Sequence, residues 1–240
     1  MAPDGSSEGG NAPLGLPRPN ARRRPGEAAA PLDISRAFLR LLHAEPLSTL
    51  TALDVGTGRG RLALALAPHC RAVVGIDREA TAIDEARRLA AGAGLANVEF
   101  IVGDVEKLEY TTWRPGLVGA YLCMSDAIIE RAGRALDPGH VLAFVAFHTD
   151  QWRETGRPSR FAYDEAGMRA VLARTGFVVE NLEVEREVQR FDSVEQALAA
   201  VIGLEERWRS DGRWFRYIKY LEDGGRDLTR SHLVVKARRT

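Results

Sequence analysis

The sequence predicts an α/β fold built on a mostly parallel sheet, and three observations carry that reading. Short apolar runs alternate with helical patterns from Leu50 onward; an early apolar run opens into glycines at alternate positions, Gly56, Gly58 and Gly60; and acidic residues close consecutive apolar runs. Strands joined by crossover helices leave that alternation. At 240 residues the chain has room for one well-packed α/β domain with an appended piece, not for two full domains by default.

Residues 1–30 are crowded with Gly, Pro, Ser and Ala, include Arg22, Arg23 and Arg24, and lack the apolar periodicity that would offset ordering entropy, so a disordered tail is expected there. The folded domain is expected over residues 31–240, with halves at 50–150 and 151–240. A helix is expected from about Leu32 to His43, with Asp33 or Ser35 near its start and Ile34, Phe38, Leu41 and Leu42 on one stripe. The expected strands are Ala52 to Val55, Ala72 to Ile76, Val98 to Val102, Leu117 to Cys123 and Val141 to Phe147. Helices fall near Arg59 to Ala67, Arg78 to Ala91 and Asp126 to Leu136, and Asp137-Pro138-Gly139-His140 forms the turn into the fifth strand.

The last third changes character. A helix from Asp164 to Arg174 leads through Gly176 into Phe177 to Arg190, whose alternation reads as an extended strand. Ser193 to Trp208 reads as a helix, continued after Gly212 by Trp214 to Leu221, and Leu233 to Ala237 as a final strand. A late strand pair at one edge of the parallel sheet accounts for these runs.

Lys plus Arg and Asp plus Glu are equal at 33 each, so no global field recruits nucleic acid or an anionic membrane. There are two cysteines, Cys70 and Cys123, and no leader-like start, which favours a reduced, cytoplasmic setting with both thiols buried as small apolar groups. The longest apolar run, Val141 to Phe147, is too short to cross a bilayer. No metal-ligand set stands out.

In Asp54-Val55-Gly56-Thr57-Gly58-Arg59-Gly60 the glycines sit at i, i+2 and i+4, whereas the dinucleotide fingerprint places its third glycine one residue later, where this chain has Arg61. That spacing disfavours a nicotinamide or flavin. Asp77 closes the next run about 20 residues past the glycines, where a carboxylate can accept both hydroxyls of a ribose. Asp104 follows the third run and can accept from an adenine amino group, with Val105 offering its amide. Singly, each aspartate is equally a turn former or helix cap; three at consecutive strand ends face one crevice at the carboxyl edge of the sheet.

On these residues the chain resembles the class I S-adenosylmethionine-dependent methyltransferases over about Leu50 to Phe147. LDVGTGRG is similar to their first motif, GIDRE to the acidic ribose-binding motif, GDVE to the adenine-contacting motif and LDPGHVLAF to the turn and fifth strand. The resemblance implies a Rossmann-like, seven-stranded, mostly parallel sheet with helices on both faces and an antiparallel strand at the C-terminal edge. It makes 50–150 the cofactor-binding half and 151–240 the half with acceptor-side elements. The implied cofactor is S-adenosyl-L-methionine, with its methionine part near Asp54 and Gly56, ribose on Asp77, and adenine between Arg78 and Asp104 to Val105; Thr57, Gly58, Gly60 and Cys123 complete the implied binding set. The fourth strand, GLVGAYLCMSD, departs from the family in lacking an acidic residue near its start. His148 to Phe177 is similar to the tellurite-resistance and thiopurine-type small-molecule branch.

For such a donor the protein chiefly has to align an acceptor lone pair. If a base is needed, His148 at the end of the fifth strand is the candidate catalytic residue, with a structural hydrogen bond as its alternative role. Ser125 and Asp126 either touch the ligands or cap the next helix, and the cap is favoured. The chain has no N-P-P-Y-like run after the fourth strand, and Cys123 is followed by Met124 rather than preceded by proline, which weakens base methylation of nucleic acid. In Arg213-Trp214-Phe215-Arg216-Tyr217-Ile218-Lys219-Tyr220 rings and cations interleave, yet Trp214, Tyr217, Ile218 and Leu221 fall at helical spacing, which favours a face packed on the core over a base-stacking surface. The same segment, with Trp152 and the helix near Leu32, is a candidate wall of an acceptor pocket. The expected partner is a small-molecule methyl acceptor. RNA or protein methylation, and a non-catalytic accessory protein of the same fold, stand as alternatives.

Overall fold

The computed structural model describes residues 34–240. The predicted tail and Asp33 lie outside the described residues. The chain runs α1 (Arg36–His43), β1 (Thr51–Val55), α2 (Arg61–Leu66), β2 (Ala72–Asp77), α3 (Ala80–Gly92), β3 (Val98–Val102), β4 (Leu117–Tyr121), α4 (Asp126–Ala135), β5 (Val141–His148), β6 (Ala162–Tyr163), α5 (Glu165–Arg174), β7 (Phe177–Arg190), α6 (Val194–Ala199), α7 (Glu205–Ser210), α8 (Arg213–Glu222) and β8 (Asp227–Arg239).

The strands form one sheet in the order β3-β2-β1-β4-β5-β8-β7, with the two-residue β6 paired to the end of β5. β1 to β5 pair in parallel, and β8 runs antiparallel to both β5 and β7. The antiparallel strand therefore sits one place in from the edge, and β7 forms the edge itself.

Alternation along the strands sends side chains to two cores. Leu53, Val55, Val118, Ala120, Leu142 and Phe144 pack against α4 and α5 through Ile128, Ile129, Met168 and Leu172. Ala52, Val73, Leu117, Val141, Ala143 and Val145 face the other way, onto α1, α2 and α3 through Phe38, Leu42, Leu62, Leu66 and Ile83. A third, smaller core joins α6, α7 and α8 to the segment after β5 through Trp152, Phe191, Trp208, Tyr217 and Leu221.

Several boundaries differ from the sequence reading. The helix expected over Ser193 to Trp208 is two, α6 and α7, with Gly203 between them at φ 89°. β4 ends at Tyr121, two residues short of expectation, because Leu122 takes a left-handed conformation (φ 61°). β8 begins six residues before Leu233, since pairing with β7 extends to Asp227. α1 starts after Ser35, whose hydroxyl accepts from the Phe38 amide at 3.2 Å. Among the described residues no helix is long and apolar enough to cross a membrane, and no cluster of His, Cys, Asp or Glu is placed to hold a metal ion.

Candidate active site

β1, β2, β3 and β4 deliver the predicted cofactor residues to the carboxyl edge of the sheet. The β1 to α2 turn holds Gly56, Thr57, Gly58 and Gly60. Gly56 and Gly58 are left-handed (φ 70° and 54°), a conformation that costs an L residue about 1–2 kcal/mol. A Cβ on Gly56 would stand 2.2 Å from Cys123 Sγ, so the thiol after β4 closes one side of the turn; a Cβ on Gly58 would meet nothing within 4 Å. Gly58 therefore opens on free space beside Asp77, the cradle a ligand requires.

The amides of that turn are already engaged within the protein. Gly56 and Thr57 donate to the Ile76 carbonyl at 2.8 and 2.9 Å, Gly60 donates to the Thr57 carbonyl, and Gly58 donates to Asp77 Oδ2 at 2.8 Å. These bonds lock the turn onto the end of β2, so the glycines serve close approach more than amide donation. Asp77 Oδ1 accepts from the Glu79 amide at 3.0 Å, and each carboxylate oxygen keeps a second lone pair for a vicinal diol.

Asp54 is 1% exposed, with Oδ2 accepting from Thr57 Oγ1 at 2.5 Å and from the Ala63 amide at 2.9 Å. Burial pushes its carboxyl up to about 7, against those two hydrogen bonds, with the Asp77 charge adding to the rise. A group whose folded pKa is raised binds its proton more tightly than the unfolded chain does, so stability falls as pH climbs from about 4 toward 7. Asp54→Asn is expected to flatten that fall, measured as melting temperature between pH 5 and 8.

Past β3, Asp104 accepts from the Glu106 amide at 3.0 Å and from Lys107 Nζ at 3.0 Å. The lysine, then the amide, hold its carboxyl below the usual carboxylate range. The Val105 carbonyl accepts from the buried Tyr110 hydroxyl at 2.5 Å, which fixes the backbone there. Arg78 is exposed at the tip of β2. Burial pushes the Cys123 thiol up to about 11, with the charges of Asp77 and Asp54 adding to the rise. Lys107 was legible only as an i+3 partner of Asp104; Tyr110 carried no sequence signal.

The residues around the β4 and β5 ends are tied into the fold. Ser125 caps α4, accepting from the Ile128 amide at 3.4 Å. Asp126 accepts from Tyr163 Oη at 2.7 Å and from Arg174 at 2.5 Å, joining α4 to β6 and α5. His148 is 5% exposed. Its Nδ1 accepts from the Asp150 amide at 3.2 Å and faces Ser231 Oγ at 3.0 Å, which assigns the proton to Nε2, donated to Glu165 Oε2 at 3.2 Å. Both ring nitrogens thus have partners within the protein.

S-adenosylmethionine fits this crevice on the chain's own features: an open cradle over Gly58, a buried carboxylate at Asp54, a diol-competent pair of oxygens on Asp77, and no glycine spacing for a dinucleotide. The methyltransferase domain family matches residues 47–166. Over 68 residues the chain is 46% identical to the tRNA (uracil-5-)-methyltransferase homolog A of Mus musculus, a stretch that spans 28% of this chain and 10% of that protein. Among solved structures, the YcgJ protein from Bacillus subtilis superposes with a TM-score of 0.66 at 15% identity, covering 85% of this chain and 99% of that one. The magnesium protoporphyrin IX methyltransferase of Synechocystis PCC 6803 with bound SAH superposes with a TM-score of 0.58 at 17% identity, covering 85% of this chain and 80% of that one. With the family match spanning the glycine turn and every acidic strand end, the chain belongs to the class I S-adenosylmethionine-dependent methyltransferase family.

Proposed function

We propose that this methyltransferase acts on a small organic acceptor held over the carboxyl edge of β4 and β5. When bound, S-adenosylmethionine supplies a methyl carbon made electrophilic by its sulfonium, so that an in-line acceptor lone pair takes the carbon while the carbon–sulfur pair stays on sulfur. The protein's part is placement. Asp77 holds the ribose hydroxyls, Asp104 and the Val105 backbone meet the adenine edge, and Asp54, shielded beside Thr57, sits at the methionine end. His148, with both nitrogens bonded, fixes the segment after β5 that walls the acceptor space.

The observation that carries the small-molecule reading is the fate of the aromatic and basic run on α8. Tyr217 is 0% exposed and packs on Trp208 in the third core, beside Leu221, so that ring is spent on packing rather than offered for stacking bases, while Phe215 on the same helix stays 62% exposed. A second reading, methylation of RNA, is favoured by the match to the tRNA methyltransferase homologue. Calorimetry with S-adenosylmethionine and S-adenosylhomocysteine, followed by methyl transfer from labelled donor, separates them. Both nucleotides are expected to bind wild type, and Asp77→Ala to weaken them by at least about tenfold, the scale of a lost charge-assisted hydrogen bond. Transfer to metabolites insensitive to salt supports the small-molecule reading. Transfer to RNA that collapses between low and moderate salt overturns it.

A further inference from the structure

A second histidine stands at the carboxyl edge of the sheet, and the fold leaves it unbonded. His232 lies on β8 opposite Phe147 of β5 and Glu185 of β7. Its ring is 5.9 Å from the Phe147 ring, and neither ring nitrogen meets a hydrogen-bond partner among the described residues. His148, one residue past Phe147, projects to the other face of the sheet and has both nitrogens bonded. An imidazole that is half-buried and still unpaired has bonding capacity to offer a ligand.

Strand register sets this ring beside the cofactor crevice. Tyr121, the last residue of β4, pairs with Val145, and Val145 with Val234. Phe147 and His232 stand two residues further toward the edge, level with Cys123, which closes the glycine turn. Tyr121, Phe147 and His232 share the parity of Val145 and Val234, whose side chains face α1. The start of α1 bridges the same row: the Ser35 amide donates to Tyr121 Oη at 3.2 Å and its hydroxyl to Glu185 Oε1 at 2.7 Å. The Arg61 guanidinium, just past Gly60, lies 5.8 Å from the Tyr121 ring centroid, which joins the row to the glycine turn. Tyr121, Phe147, Glu185 and His232 are all half-buried, so the row is a floor that is partly open rather than sealed into the core. β8 is two strands from β4, about 10 Å across, a distance that a ring-bearing acceptor spans.

The chemistry of the floor narrows what it takes. Burial, then the charge of Arg230, lowers His232 to about 4, so the imidazole is neutral at pH 7. That is far from the working range of a general base, but a neutral imidazole still donates from one nitrogen and accepts at the other. The same burial and the same cation disfavour a positive group beside the ring. Glu185, which faces His232 across the strand pair, and Glu187, 3.7 Å from Arg230, disfavour a negative one. A donor on the imidazole beside an acceptor on Glu185 calls for a group that accepts and donates at once, which a hydroxyl does and a carbonyl oxygen does not. The Phe147 and Tyr121 rings suit an aromatic skeleton. We propose that His232 is a specificity-determining residue of the acceptor site and, with Glu185, binds a neutral hydroxyl carried by an aromatic acceptor lying over Phe147. This assignment rests on the small-molecule reading above.

The test is calorimetry, with nitrogen NMR of labelled histidines, on the full chain saturated with S-adenosylhomocysteine. The probes are naphthol, naphthalene as its hydroxyl-free counterpart, naphthoate as the anion and naphthylmethylammonium as the cation. Naphthol is expected to bind at least about fivefold more tightly than the other three, the scale of one hydrogen bond. It is expected to move the ring-nitrogen resonances of His232, identified by their contact with the Phe147 ring, and to leave those of His148 in place. His232→Phe keeps a ring without nitrogens and is expected to bring naphthol down to the affinity of naphthalene. His232→Gln keeps a donor and an acceptor and is expected to hold naphthol within about threefold of wild type. Both variants are expected to bind S-adenosylhomocysteine as wild type does, and the wild-type resonances decide the matter even where a variant fails to fold. A histidine that only packs on Phe147 would bind naphthol and naphthalene alike and show no shift, and either result overturns the inference, as does preference for naphthoate or for the cation. S-adenosylhomocysteine binding without naphthol binding also overturns this inference alone. Failure of S-adenosylhomocysteine itself to bind overturns the cofactor site instead, and salt-sensitive transfer to RNA overturns the small-molecule reading.

Discussion

Gly56→Ala is expected to lower S-adenosylhomocysteine affinity by about a hundredfold, the combined scale of a left-handed alanine and a displaced neighbour. The new methyl group would stand 2.2 Å from Cys123 Sγ and 2.5 Å from its Cβ, and Gly56 sits at φ 70°. Something must move, and the candidates are the turn that aims Gly58 at Asp77 or the β4 exit that already holds Leu122 in a left-handed conformation. Calorimetry on Gly56→Ala, Cys123→Ala and the double variant separates the two costs. Cys123→Ala removes the sulfur but keeps the Cβ that would stand 2.5 Å from the new methyl, so the double variant is expected to recover only part of the loss, the backbone strain at residue 56 also remaining. Full recovery would mean that the sulfur clash alone mattered; no recovery would mean that the Cβ contact and the backbone strain carry the whole loss.

Lys236→Ala is expected to lose about 2–3 kcal/mol of stability, below the scale of breaking a fully buried ion pair from one side because Glu180 and Arg238 stay partly in water. Lys236, 8% exposed on β8, pairs with Glu45, whose side chain is 7% exposed, and with Glu180 on β7 at 3.2 Å. Arg238 completes the network, 2.8 Å from Glu45 and bonded to Glu180. Without the lysine, the near-buried Glu45 and the one-third exposed Glu180 share a single guanidinium, itself one-third exposed. Burial works against Glu45, yet hydrogen bonds from Arg238 and Lys236 bring its carboxyl below its ordinary value, and Arg238 does the same for Glu180. Lowered folded pKa values give stability that is present above pH about 4.5 and lost as pH falls further. Urea melts should show the deficit of the variant at pH 7, about 10 °C in melting temperature on heating, and a smaller gap between variant and wild type at pH 4. An unchanged melt at pH 7 would mean that the network contributes nothing.

Much of the fold was legible because its signals are local. Apolar runs of strand length, glycines that a tight turn requires and aspartates at strand ends lie within a few residues of the structure they specify, so Asp54, Gly58, Asp77 and Asp104 could be placed on one edge from spacing alone. The helix caps at Ser35 and Ser125 were legible for the same reason. β8 was half hidden. Its first residues include Thr229 and Ser231, polar groups 1% and 0% exposed, which read as strand only once Glu154 and Gln151 accept from their amides. Nor could a run of helical spacing from Ser193 onward reveal that it breaks at Gly203 to fold over Trp152.

The amino-acid sequence by itself determined the α/β class, the glycine turn, and which carboxylates stand at the tips of the first three strands, because each depends on backbone conformation and periodicity over short spans. Only the tertiary structure decided what those groups do. It turned the Gly56 and Thr57 amides inward to Ile76, set Cys123 against Gly56, gave both nitrogens of His148 to Glu165, Asp150 and Ser231, and joined Arg238 to Glu45 across 193 positions. Hydrogen-bond partnership and desolvation are properties of which distant segments meet, and no spacing within a segment encodes that meeting.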